Sequence, residues 1–506
     1  MNAVRPSKGV SEMSESYDVI VLGAGPVGEN VADRAVQGGL SAVVVEDRLV
    51  GGECSYWACT PSKALLRPAE ARRAALDVDG ARQAVTGDLD VAAVLARRTS
   101  FASDWDDAGQ VEWLESAGID LVRGRGRVSG ERQVTVTGPD GGERVLTARH
   151  AVAVCTGSRP VVPDIPGLRD SRPWTNREGL EAREVPESLL VIGGGVVAAE
   201  LAGGFADLGA RVTVLVRSTL LSGYEPFAGE MVGAALEERG VDLRYGVSAT
   251  SVAAPSRREP DSPSPAPSRR EPDSSWEVQC DDGSTLRVAQ VLVATGREPQ
   301  PDLGLESVGL EGGWLPVDET LRVLDGEGQP VEWLYAVGDA NHRSPVTHQG
   351  KYQARAAGDV IAARAAGRPV DDGRWGVHAA TADHLAPAQV VFTDPQVASV
   401  GMTADAARDA GMDVRVVDQD LGAVAGAAIH ADGYTGRVRM VVDEERKVIV
   451  GMTFVGADVA ELLHSASIAV AGEVPLDRLW HAVPAFPTMS EVWLRLLEAY
   501  GRPRPA

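Results

Sequence analysis

Hydrophobic and polar positions repeat one pattern twice along this chain. Residues 17–22 form a short apolar strand that runs into Gly23-Ala24-Gly25-Pro26-Val27-Gly28, and a helical stretch follows to Gly39. A second strand, 41–45, ends in Glu46. This predicts a β-α-β unit carrying G-x-G-x-x-G, in which glycines permit a tight turn, close approach of a pyrophosphate and helix–strand packing. The helix start offers unpaired N–H groups to phosphates, and Glu46 lies near the usual distance for a carboxylate that grips ribose hydroxyls.

The pattern recurs at 188–192, a strand followed by Gly193-Gly194-Gly195-Val196-Val197-Ala198 and a helix through Leu208. The next strand, 211–215, ends in Val216-Arg217-Ser218, so arginine stands where the first unit has an acid. A guanidinium there favours a 2′-phosphate, which predicts NADPH in preference to NADH; the alternative is that Arg217 is a solvated surface charge. Two further segments, 151–157 and 291–297, read as strand-then-turn pieces, and 334–339 ends in an aspartate, Asp339, placed to bond a polyol hydroxyl or to cap a helix. From about residue 388 the texture changes to alternating strands (438–442, 447–454), a helix at 460–471 and a final helix within 480–500.

Between 254 and 276 the octapeptide PSRREPDS occurs twice, at 255–262 and 267–274. Proline, serine and charge in this density predict a disordered loop, and a tolerated duplication is a simpler reading than a docking role. Composition narrows the function classes. The 506 residues carry a formal net charge of −23, which opposes nucleic acid and anionic membrane surfaces. No apolar run reaches the roughly 18 residues of a membrane span. Residues 1–16 read as a polar tail without a signal peptide's apolar core, and four cysteines do not make a secreted disulfide scaffold. A cytoplasmic enzyme without nucleic-acid or membrane partners is expected.

The candidate chemistry lies in Gly51-Gly52-Glu53-Cys54-Ser55-Tyr56-Trp57-Ala58-Cys59-Thr60-Pro61-Ser62-Lys63. A cysteine pair at this spacing can close a small disulfide ring that opens with two electrons. A buried thiol pair or half of a metal site are the alternatives. A zinc site usually wants four ligands, and Cys155 and Cys280 are singletons, so no metal is expected. Lysine occurs only at positions 8, 63, 351 and 447. Lys63 therefore stands out as a chosen compact ammonium in a chain that otherwise uses arginine.

The order of these motifs resembles the pyridine nucleotide–disulfide oxidoreductases, flavoproteins that include dihydrolipoyl dehydrogenase, glutathione reductase and mercuric reductase. Residues 51–63 are similar to that family's G-G-x-C-x4-C-x-P-S-K. The resemblance implies that Cys54 meets the substrate, that Cys59 lies beside the flavin, and that Lys63 and Glu200 form an ion pair near flavin N5. It implies FAD held by Gly23, Gly25, Pro26, Gly28, Glu46, Gly52, Lys63, Thr156, Gly157, Gly338, Asp339 and His348. A nicotinamide nucleotide is implied at Gly193, Gly195, Val196, Arg217, Ser218 and Gly296. Val391-Phe392-Thr393-Asp394-Pro395 and the strands after it resemble the family's dimerisation domain, which implies a homodimer.

One departure bears on the activity. The family's His-Pro-Thr-x-Ser-Glu supplies a base for an incoming dithiol, but the matching residues here are Phe486-Pro487-Thr488-Met489-Ser490-Glu491. Phe486 cannot move a proton, and Glu491 is expected to lack its usual partner. Loss of a general base costs about 10²–10⁴ in rate. His481 and His348 are the candidate replacements. Mercuric reductase also lacks that histidine but adds a C-terminal cysteine pair, and often an N-terminal metal-binding domain. This chain ends in Gly501-Arg502-Pro503-Arg504-Pro505-Ala506 and has a 16-residue N-terminal tail, so relay of a soft metal between thiols is not expected.

The expected fold is α/β: two Rossmann-like dinucleotide-binding domains and a C-terminal α+β dimerisation domain. The expected boundaries are 17–160 for FAD, 161–298 for NADPH with an insert near 255–275, 299–380 completing the FAD site, and 385–506 for the interface domain. The expected function is an FAD-dependent oxidoreductase passing electrons from NADPH, by way of flavin, to Cys54–Cys59 and on to a disulfide or other small-molecule acceptor. The alternatives are a quinone or dye reductase acting from the flavin, a dihydrolipoyl dehydrogenase with another base, and a flavoprotein scaffold whose catalysis has decayed.

Overall fold

The computed structural model describes residues 15–254 and 275–502. The two PSRREPDS copies, residues 1–14 of the polar tail and the last four residues therefore lie outside the described residues. The chain divides into two compact units.

The first unit comprises residues up to 54, 105–159 and 299–383. Its sheet places Glu143–Val154 between Glu15–Leu22 and Pro330–Ala336, with Ala42–Glu46 and then Asp120–Arg123 beyond Glu15–Leu22, all parallel. Arg322–Leu324 closes one edge antiparallel, and a hairpin of Arg125–Gly130 and Gln133–Thr137 pairs with the start of Glu143–Val154. A parallel sheet is covered on both faces, so its strands are apolar at successive positions. Val19 and Val21 enter one core with the helices Pro26–Gln37 and Thr347–Ala365, while Ile20 and Leu22 enter another with Leu146 and Trp333. The two cores fix the strand register, Leu22 opposite Val45 on one side and Val154 on the other. Both strand ends therefore open onto the same turn.

The second unit comprises 55–104, 160–298 and 384–506. It contains a four-stranded parallel sheet in the order Asp242–Tyr245, Arg211–Val216, Ser188–Ile192, Gln290–Val293. A three-stranded antiparallel sheet spans 249–288, and a five-stranded antiparallel sheet spans 388–456. The Cys59–Leu76 and Val91–Phe101 helices belong to this unit and pack Leu65, Val94 and Leu95 into a core shared with Leu201 and Phe205 of the Val196–Asp207 helix. The fold is thus α/β with a C-terminal α+β region. Among the described residues no helix is long and apolar enough to cross a membrane.

Candidate active site

The first glycine turn is built by close packing. Gly23 has φ +95°, and a Cβ there would lie 2.6 Å from the Cys155 carbonyl oxygen; one on Gly28 would lie 1.9 Å from the Gly23 oxygen. Gly25 differs: a Cβ would meet only the Gly52 Cα, at 3.8 Å, so the outer side of the turn is open. Gly25 is the N-cap of Pro26–Gln37 and no side chain caps that end, so the first-turn N–H groups remain for an anion. Glu46 bends back on the turn, its two oxygens accepting from the N–H groups of Ala24 (2.8 Å) and Arg48 (2.9 Å). Burial raises its pKa. Lone pairs remain on both oxygens for further donors. Thr156 Oγ1, just past the end of the neighbouring strand, is buried and has no partner among the described residues. An open cradle, an uncapped helix start and an orphaned hydroxyl together fit a dinucleotide pyrophosphate.

The segment after Pro330–Ala336 supports the same turn. Gly338 N–H donates to Gln353 Oε1 (2.8 Å), and Asp339 Oδ2 accepts from Ser158 Oγ at 2.5 Å. A Cβ on Gly338 or Gly350 would press on Val27 of the glycine turn, at 3.0 and 2.7 Å. His348 is exposed in the first turn of Thr347–Ala365. Gly157 sits at φ +67° two residues before Arg159.

In the second unit, a Cβ on Gly193 would lie 2.3 Å from the Ala294 oxygen, whereas one on Gly195 meets nothing within 4 Å. Gly195 is the uncapped N-cap of Val196–Asp207. Arg217 and Ser218 are exposed just past Arg211–Val216, and Arg217 pairs with no carboxylate among the described residues. Gly296, also exposed, accepts at its carbonyl from Val161 N–H (3.0 Å). These residues line one end of the parallel sheet, as a nucleotide-binding turn requires.

Cys54 lies in the short helix Gly52–Tyr56, and Cys59 is the first residue of the 18-residue helix Cys59–Leu76. A helix start favours a thiolate. One turn further, Lys63 Nζ donates to Glu200 Oε2 at 2.8 Å and lies 4.7 Å over the Phe392 ring. Glu200 is 4% exposed, and its other oxygen accepts from the Phe392 N–H at 2.9 Å. Both charges of this pair are thereby satisfied, which buried ions need. A cavity of about 460 Å³ adjoins the pair, lined by Thr60, Lys63, Glu200, Arg73, Arg239 and Phe392 among others. Arg73 bridges Asp207 (2.7 Å) and Asp394 (2.5 Å) along its wall. Among the described residues no group of three metal-ligating side chains is gathered.

Phe486 is 76% exposed in the loop before the final helix, His481 is exposed as well, and Gly426 lets that loop approach so closely that a Cβ would lie 2.0 Å from the Thr488 carbonyl carbon. Glu491 is buried. Its Oε1 accepts from Arg495 (2.5 Å), and its Oε2 has no partner among the described residues.

Sequence reasoning did not single out Glu29, nor the contacts that Phe392 and Trp57 make. Glu29 follows the last glycine of the first turn, is 8% exposed, and has an orphaned Oε1; burial lifts its pKa to about 7. An acid directly after G-x-G-x-x-G was the available signal. Phe392 completes the Lys63–Glu200 pair, and Trp57 is held by the Asn176–Glu181 helix.

Residues 17–358 match the pyridine nucleotide-disulphide oxidoreductase family, and 387–496 match its dimerisation domain. The chain is 33% identical to dihydrolipoyl dehydrogenase of Haloferax volcanii, over 97% of either chain. It is 31% identical to mercuric reductase of Shigella flexneri, over 94% of this chain and 80% of that one. In fold it is similar to the HOCl-induced flavoprotein disulfide reductase RclA of Escherichia coli, with TM-score 0.77 and 21% identity over 96% and 99% of the two chains. The chain belongs to the pyridine nucleotide-disulphide oxidoreductases, a family of enzymes that bind FAD and a pyridine nucleotide.

Proposed function

We propose that the protein is a homodimeric NADPH-dependent flavoenzyme that delivers electrons through Cys54–Cys59 to a disulfide or other small acceptor. The observation that carries this reading is Lys63, one turn beyond Cys59 and held by the doubly bonded carboxylate of Glu200. FAD, when bound, supplies the chemistry that takes a hydride from the nicotinamide and hands on an electron pair.

Gly23, Gly25, Gly28, Glu46, Gly52, Thr156, Gly157, Gly338, Asp339 and His348 would hold the flavin nucleotide. Gly193, Gly195, Val196, Ser218 and Gly296 would hold the nicotinamide nucleotide, with Arg217 on a 2′-phosphate. Cys59, at a helix start, stores the thiolate. The Cys54 thiolate attacks an acceptor disulfide, breaking its S–S bond and expelling one thiol. The Cys59 thiolate then attacks Cys54 sulfur, expels the second thiol and leaves Cys54–Cys59 oxidised by two electrons. Each departing thiolate takes a proton.

That proton traffic separates this chain from its dithiol-oxidising relatives. Phe486 has no titratable proton, and no donor among the described residues faces Glu491 Oε2. These two facts favour acceptors that need no dithiol base, among them quinones and planar dyes. The test screens disulfides, quinones, dyes and mercuric ion with the NADPH-reduced enzyme and measures dihydrolipoamide oxidation in wild type and Phe486→His. Wild type is expected to turn over dihydrolipoamide poorly, and the variant to recover part of the about 10²–10⁴ that a general base provides. Robust wild-type turnover would overturn the reading and move the base to His481 or His348.

A further inference from the structure

The four residues between the cysteines are Ser55-Tyr56-Trp57-Ala58, and Trp57 is held from several sides by one short helix. Its carbonyl oxygen accepts from Asn176 Nδ2 at 2.7 Å, and its indole N–H donates to Glu181 Oε1. The Arg177 guanidinium lies 4.8 Å over its ring, and the Tyr56 ring is 5.6 Å away at 60°. Trp57 is 8% exposed. The helix that holds it, Asn176–Glu181, is itself fastened at both ends. Thr175 and Glu178 form a capping box at its start. Arg98, 2% exposed, donates to the carbonyls of Leu180 and Ala182 at its finish. Burial lowers the pKa of Arg98, and the charge of Glu181 opposes that shift.

We propose that Trp57 and the Asn176–Glu181 helix form a clamp that sets the redox equilibrium of the Cys54–Cys59 pair. Trp57, Asn176, Arg177 and Glu181 are positioning residues, acting on the sulfurs through the segment that joins them. The inference rests on the reading of the pair as a redox disulfide given under Proposed function.

Closing the ring oxidises two thiols to one S–S bond. Two electrons and two protons leave, and in a thiol buffer they reduce the buffer's disulfide to two thiols. The reverse step breaks the S–S bond and takes both back. Closure costs the conformational freedom that residues 55–58 hold in the open dithiol. A tryptophan bonded at its backbone, its ring face and its ring edge has little of that freedom left to lose, so the clamp favours the closed ring. Cation–π contact and a charge-accepted indole hydrogen bond are individually modest. Converging on one side chain, they restrict the whole segment. Releasing the clamp restores freedom to the dithiol and shifts the equilibrium toward it.

The experiment equilibrates the FAD-loaded enzyme with dithiothreitol and its cyclic disulfide over a range of ratios. Thiols are trapped by alkylation and Cys54 and Cys59 are read by mass spectrometry. Trp57→Ala is expected to lower the closure constant about tenfold, a potential less negative by about 30 mV. Trp57→Phe, which keeps the ring under Arg177 but drops the N–H, is expected to shift it about threefold. Arg177→Met and Glu181→Gln are expected to shift it by a similar amount, and they decide the matter if Trp57→Ala does not fold. Val232→Ala, buried in the Pro226–Glu238 helix of the same unit and outside the contacts that hold Trp57, should lower the melting temperature and leave the potential unchanged. An unshifted potential in Arg177→Met and Glu181→Gln overturns the clamp, as does an equal shift in Val232→Ala. A wild-type pair that stays as two thiols at every ratio overturns the redox reading itself, and the clamp with it.

Discussion

The two glycine turns share a topology and differ in how each is charged. In the first, the strand after the helix ends in Glu46, whose carboxylate folds back on Ala24 and Arg48. In the second, the corresponding strand ends in Val216 and leaves Arg217 exposed. The helices differ too. Glu29 directly follows Gly28 and is buried with one oxygen unpartnered, whereas Glu200 lies one position further along its own helix with both oxygens bonded. Burial alone therefore does not decide what a carboxylate costs. Glu200, 4% exposed, has an ammonium and an N–H facing it; Glu29, 8% exposed, has no partner for its Oε1 among the described residues, and its pKa climbs to about 7. The lesson is that one scaffold yields an anion cradle with a titratable floor in one unit and a cation-bearing rim in the other.

The largest expected effect separates the turns from each other. Gly25→Ala adds a methyl to the open side of the first turn, where it blocks close approach of a pyrophosphate without clashing inside the protein. Two charge-assisted hydrogen bonds, each roughly 1.5–3 kcal/mol, are lost. Flavin affinity should fall about a thousandfold, roughly 4 kcal/mol, with the far-ultraviolet circular dichroism unchanged. Gly195→Ala should keep its flavin and weaken only the nicotinamide nucleotide. Equal flavin loss in both variants, measured by absorbance after gel filtration, would break the comparison.

A second effect reads the floor of the first turn. Glu29 ionises near 4.5 when exposed and near 7 when folded, chiefly because burial penalises its charge; Glu46 adds to the rise and Lys351 opposes it. The folded state thus holds an extra proton between these values. The stability linked to Glu29 is full below about pH 4.5 and is lost as pH rises through 7, a change on the order of 3 kcal/mol. Glu29→Gln should flatten that slope in urea titrations between pH 5 and 8. An unchanged slope would show that Glu29 is charged in the folded protein.

The smallest effect concerns the rim of the second turn. Arg217→Ala should lower the ratio of kcat/KM for NADPH over NADH about tenfold, through loss of a contact to the 2′-phosphate. The flavin content and the Glu29 slope should not move. Equal preference for the two nucleotides in wild type would return Arg217 to the role of a surface charge.

Both turns were legible from residue order alone, because a tight turn, a helix start and a charge at a strand end are local features within about 25 residues. The cysteine spacing and the lone lysine beside it were equally local. The strand expected at 17–22 spans Glu15–Leu22 and that at 188–192 spans Ser188–Ile192, whereas the pieces read at 151–157 and 334–339 belong to strands that begin earlier, at Glu143 and Pro330. The Lys63–Glu200 pair was expected from family resemblance, since nothing in the sequence announces a contact between residues 137 positions apart.

By itself, then, the sequence determined where the two glycine turns form, which charge follows each strand, and where two cysteines precede a lysine. Tertiary structure alone decided which buried charges are satisfied. Phe392 reaches Glu200 from 192 positions away, and Asn176 and Glu181 reach Trp57 from 119 and 124 positions away. No donor in the described structure reaches Glu29 Oε1 or Glu491 Oε2. The physical reason is one of range. Backbone turns and hydrophobic periodicity are set by neighbours in the chain, whereas satisfying a buried polar atom requires a partner at about 3 Å, and only packing determines which partner arrives.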